Sequence, residues 1–61
     1  MSIESSLDSL VEQLRHASVD GKKFDSGNDA AGRRVRKACM EVSRACKDIR
    51  AQVQEIRNLR K

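Results

Sequence analysis

The 61-residue chain contains no proline, tryptophan or tyrosine, and Phe24 is its one aromatic residue. Without large aromatic side chains, few groups could anchor a globular interior. A fold of this length removes only about 60% of its unfolded-chain surface from water. Small chains of this kind usually depend on a disulfide, a metal or a second subunit. We therefore expect a single domain over residues 1–61 that gains part of its core by self-association.

Cysteine is scarce as well, since only Cys39 and Cys46 are present and no apolar signal segment precedes them. This usage is typical of a reduced, cytoplasmic protein rather than a disulfide-rich secreted one. The two thiols lie seven positions apart without companion ligands, so we expect buried structural cysteines and no metal or cofactor. No apolar run approaches the roughly 20 residues of a membrane-spanning helix, so no membrane association is expected.

The residues of a catalytic site are also missing. There is no nucleophile elbow and no phosphate-binding loop, and His16 is the only histidine. The carboxylates are spread over surface positions rather than grouped with a base or a nucleophile. The sequence therefore indicates neither an enzyme nor a small-molecule substrate.

Two amphipathic stretches are what the chain does contain. In the first, apolar residues alternate spacings of four and three, which predicts a packed helix over about residues 2–18 with Ser2 as its N-cap. These apolar residues are Ile3, Leu7, Leu10, Leu14 and Ala17, with Val11 beside them. A polar connection is expected at about 19–28. There Phe24 is expected to fold back over the end of the apolar seam; the alternative is that the helix continues through Gly21 and Phe24 joins the seam in register.

The second stretch predicts a longer helix at about 29–59, capped by Asn28 or Ser26. Its apolar seam again alternates four and three: Val35, Cys39, Val42, Cys46, Ile49, Val53 and Ile56. The shorter first helix cannot cover this seam. We expect an all-α antiparallel hairpin that forms a homodimer or higher homo-oligomer, as a four-helix bundle or through direct pairing of the long helices.

Charge divides the chain into two halves of opposite sign. Residues 1–29 hold six acidic and three basic side chains, whereas residues 30–61 hold ten basic and three acidic ones, within a net charge of +4. On a helical wheel most basic residues of the second helix point away from the seam, and Arg34 and Arg50 lie on its flanks. The candidate phosphate-binding residues are Arg33, Arg34, Arg36, Lys37, Arg44, Lys47 and Arg50.

Two interpretations of this basic surface compete. Any amphipathic helix exposes a solvated polar face. Neighbouring acids are scarce here, however, and a run of like charges destabilises a helix unless a polyanion relieves the repulsion. Because aromatic platforms and zinc-ligand patterns are absent, we expect contacts to the phosphates of a nucleic acid with little sequence specificity. Gly32 could also admit a phosphate to the helix N-terminus, but close packing against the first helix or a partner subunit is favoured.

The centre of the chain carries a family pattern. Seven residues fill the motif G-N-x-A-A-x-x-R-V-R: Gly27, Asn28, Ala30, Ala31, Arg34, Val35 and Arg36. With the amphipathic helix that follows, about the last 35 residues resemble the bacterial linker-histone-like (chlamydial-type histone-like) nucleoproteins. The resemblance implies a nucleoid-associated protein that binds and condenses DNA. It implies a short form, because these 61 residues lack the Lys/Ala/Pro-rich tail of longer members.

The residues alone also allow a different function. A long seam beside an acidic first half is compatible with a coiled-coil adaptor whose basic surface binds an acidic protein partner. Charge by itself does not separate DNA from RNA.

Overall fold

The computed structural model describes residues 2–60, which form two antiparallel α-helices packed side by side. Helix α1 spans Ile3–Asp25 and helix α2 spans Asp29–Leu59. The hairpin measures 52 × 15 × 13 Å, and no strand occurs in the described residues. Neither helix combines the length and the apolar character needed to cross a membrane over the range described. The predicted all-α hairpin with a longer second helix is confirmed.

Helix α1 is longer than the sequence predicts. The sequence predicts an end near residue 18 and a connection at 19–28, but α1 continues through Gly21 to Asp25 and leaves three connecting residues. The reason is tertiary packing, since the last turns of α1 remain in contact with α2 through Asp20 and Phe24. The expected fold-back of Phe24 is wrong, because the helix continues through Gly21 and Phe24 lies on its last turn.

The turn between the helices is built around Gly27. Its φ of 105° lies in the region that glycine adopts at low cost. The amide of Gly27 donates to the carbonyl of Phe24 at 2.9 Å, and the amide of Asn28 donates to the carbonyl of Lys23 at 3.0 Å. These two bonds form the Schellman arrangement that closes α1. Asn28 then caps α2, because its side-chain oxygen accepts from the amide of Ala31 at 3.1 Å.

Gly32 and Phe24 pack against each other where the two helices leave the turn. A methyl group placed on Gly32 would lie 2.5 Å from Cδ1 of Phe24. Only glycine leaves room for the ring, so the close packing favoured for Gly32 is correct. The neighbour is an aromatic side chain of α1 rather than a second backbone.

The contact between the helices is made largely by small residues of α2. Ala31 is fully buried, and Ala38 and Ala45 follow at intervals of seven on the same side. From α1, Leu10 is the one large side chain that is buried, at 8% exposure. Among the described residues, Leu10 and Ala31 are the only buried apolar ones. The hairpin alone therefore has a very small core.

The expectation that Cys39 and Cys46 are buried is wrong for the hairpin. Both are free and exposed. The preceding alanines, at 38 and 45, face α1 instead, because their small side chains let the helices approach closely. The other residues of the predicted seam differ in how deeply they are buried. Val35, Val42 and Ile49 are half-buried, and Val53 and Ile56 are each 37% exposed.

Candidate nucleic-acid interface

Five basic side chains lie on the outer part of α2, outside its contact with α1, and together we call them the basic stripe. All five are exposed: Arg33, Arg36, Lys37, Arg44 and Lys47. At 1.5 Å per residue the stripe extends for about 21 Å along the helix. A DNA duplex carries one phosphate charge per about 1.7 Å of its axis, so the stripe can follow several consecutive phosphates.

No residue of the basic stripe pairs with a carboxylate within the part of the chain that the structure describes. The ion pairs of the described residues involve Arg15 of α1 and Arg34 of α2 instead. Arginine and lysine heads that are exposed and unpaired retain all their donors for a ligand, and a guanidinium matches two phosphate oxygens at once. The chemistry of the stripe is that of a polyanion-binding surface.

Arg34 has a different role from its neighbours. Its Nε donates to Oδ1 of Asp20 at 3.0 Å, which joins α2 to α1. The Arg34 side chain is 51% exposed and that of Asp20 is 24% exposed. Of the candidate phosphate-binding residues, Arg34 is thus engaged within the hairpin. Arg50 lies on the opposite flank of α2 and is exposed.

Met40 lies inside the basic stripe, which is an unusual place for an apolar group. Its side chain is 59% exposed and borders a shallow groove with Arg33, Arg36 and Lys37. A methionine there adds apolar contact area without adding charge.

The outer face of α1 has the opposite charge. Glu4, Asp8 and Glu12 are exposed on the side turned away from α2, and Arg15 and His16 lie within 3.9 and 3.6 Å of Glu12. Acidic and basic surfaces therefore occupy opposite edges of the hairpin. The difference in charge between the two halves of the sequence thus becomes a separation of charge across the width of the hairpin.

The two broad sides of the hairpin also differ from each other. One side is polar and closed by cross-helix bonds: Arg34 binds Asp20, and Nε2 of Gln13 donates to Oε2 of Glu41 at 3.2 Å. The other side exposes an apolar strip along its centre, and we call this strip the open face. At 100° per residue, it combines these six residues of the two helices: Leu7, Val11, Leu14, Cys39, Cys46 and Val53.

The open face exposes large apolar side chains of α1. Leu7 and Leu14 are each 47% exposed although the sequence places them in the α1 seam. Gln13 and Asp20 are half-buried and bonded to α2 on the closed side, whereas these leucines lie on the opposite flank of α1. Contiguous apolar surface of this kind marks an interaction site.

Sequence reasoning missed two features of this region. It did not find the bond from Arg34 to Asp20, because the sequence places Asp20 in the polar connection rather than on α1. It also did not separate the contact face of the hairpin from the open face next to it, since leucines and alanines repeat with the same period on both. Only the position of one helix against the other distinguishes them.

A family model described as histone H1-like protein Hc1 matches residues 4–59. The match includes α1 as well as α2, whereas the motif in the sequence carried the resemblance mainly over the last 35 residues. The family expected from the sequence is thus confirmed. No match was found among curated proteins or among solved structures.

Proposed function

Because this chain belongs to the histone H1-like protein Hc1 family, we propose that it is a nucleoid-associated protein that binds double-stranded DNA through the basic stripe. The observation that carries the proposal is a row of five exposed, unpaired basic side chains on the outer side of α2. Contacts of this kind go to phosphates, which fix a protein on the duplex but convey no base sequence. Binding is therefore nearly independent of sequence. The protein organises DNA rather than catalysing a reaction.

The proposed binding unit is a homodimer. With Leu10 and Ala31 the only buried residues in the described range 2–60, one hairpin lacks the apolar interior of a stable domain, and the open face offers the missing surface. The hairpin's outline of 52 by 15 Å is close to the about 800 Å² that each partner contributes to a standard interface. A second copy closing the open faces gives a four-helix bundle. The predicted seam at Cys39 and Cys46 then becomes the dimer interface.

The proposal makes a quantitative statement about salt. Five phosphate contacts give a slope of about −4.5 for the logarithm of affinity against the logarithm of salt concentration, so affinity falls about 500-fold between about 50 and 200 mM. Removing three contacts with Arg33→Gln, Arg36→Gln and Lys37→Gln reduces the slope to about −1.8 and that loss to about 12-fold. The weakening is equal for unrelated duplexes, since no base is read.

A matched control removes the same charge from the other helix. Arg15→Gln, Lys22→Gln and Lys23→Gln also eliminate three positive charges, but on α1, so the slope stays near that of the unchanged protein. The experiment measures mass and binding together by sedimentation, with and without a short duplex, at two salt concentrations. A monomeric mass, equal effects of both triple variants, or capture of RNA or an acidic protein without affinity for DNA would each contradict the proposal.

A further inference from the structure

The shape and charge of the open face determine how two hairpins fit together. A two-fold axis parallel to the long axis of the hairpin places each α1 on the partner's α2. A two-fold axis perpendicular to the helices and lying in the open face instead stacks α1 on α1 and α2 on α2. Both arrangements bury the open face, and both keep neighbouring helices antiparallel. They differ in which side chains meet.

Size favours the first arrangement. On the open face, α1 presents the large side chains of Leu7 and Leu14, whereas α2 presents the small side chains of Cys39 and Cys46. Large groups packed opposite small ones keep two layers at an even distance. Stacking like on like would set leucine against leucine on one side and cysteine against cysteine on the other, and would leave the two sides unequally spaced.

Charge favours the same arrangement. Helix α1 carries five carboxylates against three basic residues, and α2 carries eight basic residues against four carboxylates. Alternating α1 and α2 around the bundle puts unlike charges next to each other. The other arrangement brings Arg36 and Arg50 on the rim of one α2 toward the same residues of a second copy, where like charges repel.

Symmetry then fixes the register. A two-fold axis along the bundle does not shift any residue along that axis. Each residue of α1 therefore lies beside the same positions of the partner's α2 as of its own α2. Within the hairpin, Asp20 is level with Arg34 and Gln13 with Glu41. Leu14 therefore lies between the partner's Cys39 and the partner's Val42. Glu4 comes level with the partner's Arg50, which supplies an ion pair at the rim.

We infer that the protein is a four-helix dimer in which each α1 covers the partner's α2, and that this dimer holds two DNA duplexes, one on each side. A rotation of 180° about the long axis turns the basic stripe of one copy to face the opposite direction from that of its partner. One duplex cannot reach both stripes, so the dimer bridges. This inference rests on the proposed binding of DNA by the basic stripe.

Disulfide formation tests the arrangement. In a Cys46→Ser background, Leu14→Cys places a new thiol against the partner's Cys39, and mild oxidation should link most of the protein into dimers. Val19→Cys in the same background is the control, because Val19 lies on the outer face of α1 and is 58% exposed; it should not cross-link. The native thiols lie on diagonally opposed helices and should not link either. Native cross-linking, or none in the Leu14→Cys variant, overturns the arrangement.

Retention of a second duplex tests the bridging. Protein bound to an immobilised duplex should capture a labelled free duplex, and the oxidised Leu14→Cys dimer should do so at least as well. The variant Leu7→Glu with Leu14→Glu, checked for helix content by circular dichroism, should bind one duplex and retain at least tenfold less of the second. Failure to bind the immobilised duplex would refute the proposed function. Binding as a dimer without capture of the labelled duplex would refute bridging alone.

Discussion

Replacing Gly32 by alanine tests the packing that sets the ends of both helices. The added methyl carbon would lie 2.5 Å from Cδ1 and 2.7 Å from Cε1 of Phe24, whereas carbon atoms in contact stay about 3.5 to 4.0 Å apart. The ring must therefore shift by about 1 Å or swing into water. Phe24 is able to move, because it is on the last turn of α1 and 49% exposed.

Two effects of similar size oppose each other in this substitution. Alanine is favoured over glycine in a helix by about 1 kcal/mol. A phenylalanine that is half-buried contributes about half of the roughly 1.5 to 3 kcal/mol of a buried one, so displacing the ring costs about 1 kcal/mol. Gly32→Ala should therefore leave the free energy of unfolding nearly unchanged. In a Phe24→Ala background the cost disappears and the same substitution should stabilise by about 1 kcal/mol.

The assay is thermal unfolding followed by far-ultraviolet circular dichroism, at one protein concentration because a dimer's midpoint depends on it. In the Phe24→Ala background, Gly32→Ala should raise the midpoint by about 4 to 8 °C. Gly21→Ala is the matched control, since an added methyl group there meets nothing within 4 Å; it should stabilise equally with and without Phe24. If Gly32→Ala stabilises equally in both backgrounds, the ring does not rest on Gly32 and the explanation for the length of α1 fails.

Two further substitutions address the cap and the cross-helix pair. Asn28→Ala removes the acceptor for the amide of Ala31 and should lower the free energy of unfolding by about 1 kcal/mol, measured by urea titration; no change would mean that another group caps α2. Asp20→Asn removes the partner of Arg34 and should cost up to about 1 kcal/mol at low salt and less at high salt. Glu12→Gln is its control, because it removes a more exposed pair. If the two substitutions change the free energy of unfolding equally, the pair between the helices has no special role in stability.

The fold was predictable because the signals for it are local. Spacings of four and three define both helices, and Asn28 with Gly27 marks the turn. The end of α1 was not predictable in the same way. Gly21 in the sequence suggests the end of a helix, and only the contact of Phe24 with Gly32 on the other helix explains why α1 continues.

The sequence predicts on which side of α2 the candidate site lies, but not the contacts and the exposure of its individual residues. A helical wheel suffices to point the basic stripe away from α1, because one helix defines it. The pairing of Arg34 and the exposure of Cys39 and Cys46 depend on how α1 is rotated against α2. That rotation depends on apolar and polar contacts between the two helices, which repeat with similar periods. The pattern of one helix alone does not show which of these contacts form.

The three-residue turn also determines the order in which contacts can form. Phe24 and Gly32 are eight positions apart in the chain, whereas the bonded pair at Asp20 spans 14 and the pair at Gln13 spans 28. Each contact shortens the loop that the next one must close, so the entropic cost of closing the hairpin is divided into small steps. A chain organised this way has low contact order, which is typical of folding in microseconds to milliseconds. The hairpin can close from Gly27 outward, without a search for distant partners.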